Sequence, residues 1–232
     1  MPDPSFDCVV IGSGPGGYVA AIRAAQLGMR TAVVEKDEVG GRCLNYACIP
    51  AKAVLRVADV LSEVRDAGDF GIQVGEPRVD YDAVRARRAR VIKTLTGGVA
   101  GLFKKHGIEL IEGEGRLRPG AGVAVGEQDL TARTVVLATG SVKKPIPGAS
   151  FGARVIGTEE AWALAELPRT MAVVGAGASG AEIASAYARL GVDVLLFEAL
   201  DRVLPTEDAD ISKLVQRGLG RQGMKIHTDT LV

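Results

Sequence analysis

Two short apolar runs, each followed at once by a glycine-rich stretch, stand out in the hydrophobic pattern of the chain. The first extends from Val9 to Ile11 and the second from Met171 to Val174. An uninterrupted apolar run of this length is typical of a buried strand in a parallel sheet. After the first glycine-rich stretch, the Ala-rich segment from Tyr18 to Leu27 has the composition of a helix packed closely on such a sheet. The pattern therefore predicts two strand–turn–helix units.

The other periodic segments continue this alternation of helices and strands. Helices are predicted over residues 54–64, 81–106 and 209–221, and strands over 108–115, 122–125, 134–138 and 225–227. Alternation of this kind predicts the α/β class, here as two Rossmann-like dinucleotide-binding domains. The Pro- and Gly-containing segment 145–148 indicates a crossing between domains. We expect the first domain over residues 1–145 and a truncated second domain over 146–232.

The two glycine-rich units repeat one another in a single register. Six positions recur after a constant offset of 163 residues: Gly12, Gly14, Gly17, Leu27, Gly28 and Glu35 return as Gly175, Gly177, Gly180, Leu190, Gly191 and Glu198. In a Gly-x-Gly-x-x-Gly turn the first glycine allows the tight turn, the second lets the backbone approach a pyrophosphate, and the third lets the helix pack on the strand. An acid 18 residues after the third glycine can bind a ribose hydroxyl. The repeat therefore predicts two dinucleotide sites, each at the start of a helix.

A cysteine pair lies between the two repeats. Cys43 and Cys48 have four residues between them, and no second pair is present to complete four zinc ligands, so no metal site is predicted. Two thiols this close at the start of a helix can form a small disulfide ring, and the helix N-terminus stabilises a thiolate. We therefore interpret the pair as redox-active. Cys8 lies between apolar residues of the first strand and is expected in the core.

Charge and composition exclude several classes of partner. Lys plus Arg and Asp plus Glu balance at 28 each, so no long-range field favours nucleic acid or an acidic membrane surface. The basic run from Arg85 to Arg90 precedes apolar-periodic residues and is interpreted as the solvated face of a helix. No apolar stretch reaches the roughly 18 residues of a membrane span. No signal peptide is visible, so we expect a cytoplasmic protein without membrane or nucleic-acid partners.

Together, the two repeats and the cysteine motif resemble the pyridine nucleotide-disulfide oxidoreductases with two dinucleotide domains, and most of all the dihydrolipoamide dehydrogenases. The resemblance covers essentially the whole chain, and its most specific part is Cys-x4-Cys followed by Ile-Pro-x-Lys. It implies FAD at the first repeat and NAD at the second. The implied FAD contacts are Gly12, Gly14, Gly17, Glu35, Lys52, Thr139 and Gly140, and the implied NAD contacts are Gly175, Gly177, Gly180 and Glu198.

The resemblance also implies a reaction. Cys43 would exchange with a substrate dithiol, Cys48 would lie against the flavin, and Lys52 would sit near the flavin and pair with Glu182. Electrons would then pass from dihydrolipoamide through the Cys43–Cys48 disulfide and FAD to NAD. A carboxylate at Glu198 would repel the 2′-phosphate of NADP, which favours NAD. The implied partners are the lipoyl domain of a 2-oxoacid dehydrogenase complex and a second copy of the enzyme.

Several features depart from the family pattern. Arg42, Tyr46, Ala178 and Ser179 replace the residues that are common at their positions. Family members are about twice as long as this chain, and their His-x4-Glu acid–base pair has no counterpart here. Three interpretations therefore stay open: a fragment of a longer enzyme, a half that assembles with a separate half, and a nucleotide-binding remnant without catalysis. Among enzymes, a mercuric reductase or a glutathione reductase-like protein is the alternative.

Overall fold

A computed structural model describes residues 5–232 as two compact units. The first comprises the described residues up to Ile49 together with Arg90–Lys144, and the second comprises Pro50–Ala89 together with Pro145–Val232. Each unit is built on parallel strands with helices, which confirms the predicted α/β class with Rossmann-like units. The predicted domain limits, 1–145 and 146–232, stay a prediction.

The helices and strands alternate along the chain. They are β1 (Phe6–Ile11), α1 (Pro15–Gln26), β2 (Thr31–Glu35), α2 (Gly41–Asn45), α3 (Cys48–Arg65), α4 (Tyr81–Lys105), β3 (Glu109–Glu112), β4 (Gly115–Arg118), β5 (Gly122–Val125), β6 (Gln128–Leu137), α5 (Thr158–Trp162), β7 (Thr170–Val174), α6 (Ala178–Arg189), β8 (Asp193–Phe197), α7 (Ala209–Arg221) and β9 (Lys225–His227). A short 3-10 turn, Asp66–Phe70, follows α3. Among the described residues, every helix is too short or too polar to span a membrane.

The sheet of the first unit has the strand order β3-β2-β1-β6-β5-β4. The first four strands in that order are parallel, and β5 and β4 add to β6 as antiparallel partners. Parallel strands have their carboxyl ends at one edge of the sheet. The glycine-rich turn after β1, Glu35 at the end of β2 and Thr139 beyond β6 therefore lie at the same edge.

Both faces of this sheet are buried, which explains the uninterrupted apolar run in β1. On one face Val9 and Ile11 pack with Val123 and Val125 of the antiparallel strands. On the other face Cys8 and Val10 pack with residues of α1, α2 and α4. The expectation that Cys8 is a core residue is confirmed, since only 4% of it is exposed. Burial also raises the pKa of the Cys8 thiol, which keeps it protonated and unreactive.

The second unit has three parallel strands in the order β7-β8-β9. Its core contains the fully buried Trp162, Tyr187 and Leu196, together with Val54 and Ala58 of α3. The described residues of this unit include no counterpart of the antiparallel strands β4 and β5. Val174 is accordingly 44% exposed, whereas Ile11, its equivalent in the first repeat, is 5% exposed.

Three predicted elements differ from the structure. The strand expected over 134–138 is the last part of β6, which begins at Gln128 and ends at Leu137. The single strand expected over 108–115 is wrong: the chain forms β3, turns at Gly113 with φ 144°, and starts β4, which pairs with β5. The helix expected from residue 54 begins six residues earlier, at Cys48. Pro50 does not prevent this start, because proline has no N–H to lose in the first turn of a helix.

Candidate functional site

The first glycine-rich turn is packed at its two outer glycines and open at the middle one. Gly12 has φ 99°, and a Cβ there would lie 2.2 Å from the carbonyl oxygen of Ala138. A Cβ on Gly17 would lie 1.8 Å from the carbonyl oxygen of Gly12. A Cβ on Gly14, the residue that caps α1, would meet nothing within 4 Å. The fold requires the first and third glycines, while the second leaves room for a ligand at the helix N-terminus.

The second turn divides its glycines in the same way. Gly175 has φ 95°, and a Cβ on Gly180 would lie 1.8 Å from the carbonyl oxygen of Gly175. A Cβ on Gly177, which caps α6, would meet nothing within 4 Å. Both turns therefore have the shape that a pyrophosphate needs, with open space at the backbone of the second glycine.

The two strand-end acids hold their turns by equivalent hydrogen bonds. Glu35 is buried, and its Oε2 accepts hydrogen bonds from the N–H (2.8 Å) and hydroxyl (2.6 Å) of Ser13. Glu198 is equally buried, and its Oε2 accepts from the N–H of Ala176 at 2.6 Å. The Oε1 atoms accept from the N–H groups of Asp37 and Leu200 at 3.0 Å.

These bonds leave capacity for a ligand on each carboxylate. An ionised carboxylate has about four lone-pair sites. Three donors reach Glu35 and two reach Glu198. A ribose hydroxyl can therefore still be accepted at each acid. The residues present fit a dinucleotide at both turns.

Thr139 and Gly140, the second predicted contact of the first site, follow one residue after the end of β6 at Leu137. Ala138 N–H donates to the carbonyl oxygen of Ile11 at 2.9 Å, so this segment continues the pairing with β1 up to the glycine-rich turn. Thr139 and Gly140 are both exposed beyond that point, and Gly140 has φ 73°. The structure thus brings both predicted parts of the first site to one edge of the sheet.

The cysteine segment, residues 40–48, forms two helix starts in succession. Cys43 is the third residue of α2, and Cys48 is the first residue of α3. Cys43 is half-buried and packs with the core of the first unit, whereas Cys48 is an exposed, free thiol. The side-chain amide of Asn45, the last residue of α2, donates to the carbonyl oxygens of Val39 (3.1 Å) and Gly41 (3.0 Å), which ties the end of α2 to its start.

Lys52 lies one turn after Cys48 on the same helix. Its Nζ donates to Oε1 of Glu182 on α6 at 2.5 Å, the pairing that the family resemblance implies. The Lys52 and Glu182 side chains are 59% and 36% exposed. Exposed ion pairs contribute only about 0–1 kcal/mol to the free energy of unfolding. A contribution to stability therefore does not explain why Lys52 and Glu182 are paired. Its role toward a flavin stays a prediction.

Ser13 is a site residue that the sequence reading missed. It is fully buried, and besides bonding Glu35 it accepts a hydrogen bond from the N–H of Gly40 at 3.1 Å. The available signal was the comparison of the two repeats, because the equivalent residue in the second is Ala176. A hydroxyl at one position and a methyl at the other marks a difference between two otherwise matching turns.

Comparison with known proteins identifies the family. The model of the pyridine nucleotide-disulphide oxidoreductases matches residues 6–232, which is nearly the whole chain and includes both glycine-rich turns and the cysteine pair. The chain belongs to this family. The predicted cofactors, FAD and a nicotinamide nucleotide, are those with which the family works.

The curated relatives of the chain include dihydrolipoyl dehydrogenases from several bacteria. The one from Chlamydia pneumoniae is 41% identical over 226 residues, covering 96% of this chain and 49% of the relative. The one from Thermus scotoductus is 40% identical over 227 residues, covering 97% and 49%. The chain thus spans about half the length of the curated relatives that it matches.

Solved structures of the family have the same fold over the same half. LpdA from Mycobacterium tuberculosis has a TM-score of 0.85 at 27% identity, with 96% of this chain and 51% of that chain covered. RclA from Escherichia coli, an HOCl-induced flavoprotein disulfide reductase, has a TM-score of 0.82 at 27% identity, with 97% and 49% covered. These likenesses support the two-unit α/β architecture and the flavoprotein disulfide reductase class.

Proposed function

We propose that this chain provides the FAD site, the redox cysteine pair and the first part of the NAD site of a dihydrolipoamide dehydrogenase. The net reaction is dihydrolipoamide + NAD⁺ → lipoamide + NADH + H⁺. The observation that carries the proposal is the cysteine segment, which lies in direct contact with the first glycine-rich turn. A Cβ on Gly41 at the start of α2 would lie 2.7 Å from the Cα of Gly14. The segment that carries the thiol pair therefore adjoins the dinucleotide turn, an arrangement that suits electron transfer between the thiols and a flavin bound there.

At the first site the chain binds and orients the cofactor. The open backbone at Gly14 admits the pyrophosphate, and Glu35 accepts a ribose hydroxyl. Thr139 and Gly140 add contacts from the end of β6. When bound, FAD supplies the two-electron carrier between the dithiol and the nicotinamide.

At the second site Gly177 and Glu198 have the equivalent roles toward NAD. Glu198 is buried and negatively charged, so it accepts the adenosine ribose hydroxyls and repels a 2′-phosphate. Arg202 donates to the carbonyl oxygen of Pro205 at 3.1 Å and lies 3.5 Å from the carboxylate of Asp201, whose negative charge also disfavours a 2′-phosphate. These contacts favour NAD over NADP.

The cysteine pair accepts the two electrons of the substrate. A thiolate of dihydrolipoamide attacks Sγ of Cys43 and breaks the Cys43–Cys48 bond, which leaves the electron pair on Sγ of Cys48. The second substrate thiolate then displaces Cys43 and closes the lipoamide disulfide. The substrate is oxidised and the cysteine pair is reduced. Of the two substrate thiol protons, one passes to Cys43 and the other is released, so Cys48 is left as a thiolate. The N-terminal end of α3 stabilises the negative charge on Cys48.

The exchange step can be tested without a cofactor. The chain is first oxidised to form the Cys43–Cys48 disulfide and then mixed with one equivalent of dihydrolipoamide, and free thiols on the protein are counted. We expect two thiols to appear at Cys43 and Cys48 and one equivalent of lipoamide to form. Cys43→Ser and Cys48→Ser serve as matched controls and should gain none. An oxidised wild-type chain that dihydrolipoamide leaves unchanged would contradict the proposed substrate.

The alternative is another reductase of the same family, acting on a different disulfide with NADPH. The structural similarity to RclA, an HOCl-induced flavoprotein disulfide reductase, supports this alternative. Binding of NADH and NADPH to the chain separates the two. Preference for NADH and reaction with lipoamide support the dehydrogenase, whereas preference for NADPH together with reaction of glutathione disulfide supports the alternative.

A further inference from the structure

We propose that Ser13 is a positioning residue of the first site, whose hydroxyl orients the Glu35 carboxylate and ties the cysteine segment to the glycine-rich turn. The proposal rests on the proposed function, because it takes FAD as the ligand of that site. Ser13 lies between the two glycines Gly12 and Gly14. It acts through the residues to which it is bonded.

The Ser13 hydroxyl is bonded on both sides within the first unit. It donates to Oε2 of Glu35 at 2.6 Å and accepts from the N–H of Gly40 at 3.1 Å. The residue is 0% exposed, so water cannot replace either bond. Because the acceptor is a carboxylate, the N–H···O–H···O⁻ chain is polarised along its length and each bond strengthens the other.

The bond to Gly40 fixes the start of the cysteine segment. Gly40 caps α2 in the left-handed conformation with φ 96°, and Gly41, the first residue of the helix, packs against Gly14. Cys43 follows two residues after Gly41, so the position of its sulfur depends on where α2 starts. One buried hydroxyl thus links a ribose-binding carboxylate to the helix that carries a redox cysteine.

The second repeat serves as an internal comparison. Ala176 is fully buried in the equivalent position, and its N–H bonds Glu198, so the backbone part of the arrangement is repeated. The hydroxyl part is absent, since alanine has none. The segment that follows Glu198 carries no cysteine, because the cysteines of the chain are Cys8, Cys43 and Cys48. The hydroxyl therefore occurs in the repeat that is followed by the redox pair.

The test compares the variant Ser13→Ala with a control variant, Ser212→Ala, in which another buried serine loses its hydroxyl. Ser212 is also 0% exposed, and its hydroxyl donates to the carbonyl oxygen of Leu204 at 3.1 Å in the second unit. Ser212→Ala removes the same group from an equally buried place. Two properties are measured on each full chain: the dissociation constant for FAD, by titration of flavin fluorescence, and the rate at which iodoacetamide alkylates Cys43 before FAD is added.

We expect Ser13→Ala to bind FAD roughly tenfold more weakly, as the loss of one hydrogen bond to a charged group implies. Alkylation of Cys43 should become severalfold faster, because the start of α2 is released. Ser212→Ala should leave both properties at wild-type values. Wild-type values in Ser13→Ala, or equal changes in both variants, would overturn the proposal.

Two further results keep the test decisive. If the wild-type chain takes up no FAD, the proposed function fails at the first site, while the alkylation rates still decide whether Ser13 ties down the cysteine segment. If Ser13→Ala does not fold, hydrogen exchange of the Gly40 amide in the wild-type chain replaces it. Slow exchange supports the bond to Ser13, and exchange as fast as in an unstructured peptide overturns it.

Discussion

At the residue scale, the phenol of Tyr187 is a buried polar group whose partners all lie in the second unit. Its hydroxyl donates to the carbonyl oxygen of Ala161 and lies 3.3 Å from the hydroxyl of Tyr81. Its ring stacks on Trp162 with a centroid distance of 6.0 Å. Burial, and then the bond with Tyr81, raises the pKa of Tyr187 well above its ordinary value of 10.0. The folded unit therefore holds this phenol in the neutral form.

The variant Tyr187→Phe should lower the free energy of unfolding by about 1–3 kcal/mol at neutral pH, because Ala161 and Tyr81 lose a partner. The raised pKa gives the effect a pH dependence. The contribution is complete below the unfolded-state pKa of about 10 and is lost as the pH rises above it, by about 1.4 kcal/mol per pH unit. Urea unfolding at neutral and alkaline pH measures both parts.

The control for this prediction is Tyr18→Phe in the first unit. Tyr18 is only partly buried, so its hydroxyl should contribute much less. The difference between wild type and Tyr187→Phe should shrink at alkaline pH. A variant as stable as the wild type at neutral pH would show that the Tyr187 hydroxyl contributes nothing to the unit.

The ion pair between Lys52 and Glu182 leads to a prediction about reactivity rather than stability. Glu182→Gln removes the charge, and because the pair is exposed the variant should lose at most about 1 kcal/mol of stability. If Lys52 lies beside the flavin, as the family resemblance implies, reduction of bound FAD by dihydrolipoamide should slow by at least about tenfold. Stopped-flow absorbance measures the rate.

A second exposed pair on the same helix provides the control. Glu63 accepts a hydrogen bond from Arg56 at 2.8 Å, and both side chains are more than half exposed. Glu63→Gln should leave the reduction rate unchanged. Equal rates of FAD reduction in the wild type and Glu182→Gln would show that the Lys52–Glu182 pair has no role in that reaction.

At the element scale, the glycines of the first strand–turn–helix unit have different roles: Gly12 is needed for the fold and Gly14 leaves room for the ligand. Two variants separate these roles. Gly14→Ala should fold with nearly wild-type stability, because its Cβ points into open space, but should bind FAD at least about tenfold more weakly. Gly12→Ala should lose about 2 kcal/mol or more, because it combines a left-handed φ with a backbone clash. Thermal unfolding and FAD titration on both variants test this division. Equal losses of stability would contradict it.

The elements that the sequence predicted well are those whose signal is local. The two glycine-rich turns, their strands and the helices after them follow from short-range chemistry, and the structure has all of them. The break at Gly113 between β3 and β4 depends on pairing with β5, which a run of apolar residues does not reveal. α5 is only five residues long and shows no period to recognise.

At the scale of the whole molecule, the candidate site also contains residues that a local sequence signal predicts and residues whose role depends on contacts between distant segments. Glycines and acids could be placed from spacing, because each motif residue has a fixed task in a dinucleotide turn. Ser13 could not, because its hydroxyl has a task only when folding brings together three segments of the first unit: the turn, the end of β2 and the start of α2. Asn45, which ties the end of α2 to its start through two backbone carbonyls, was missed for the same reason.

We propose above all that the first unit of this chain combines a flavin site with a redox cysteine pair. The most direct test is the visible absorption spectrum of the purified chain after incubation with FAD, before and after a limiting amount of dihydrolipoamide. We expect protein-bound oxidised flavin and, after the dithiol is added, a new long-wavelength band that Cys48→Ser lacks. A chain that retains no flavin, or bound flavin whose spectrum responds identically in the wild type and Cys48→Ser, would contradict it.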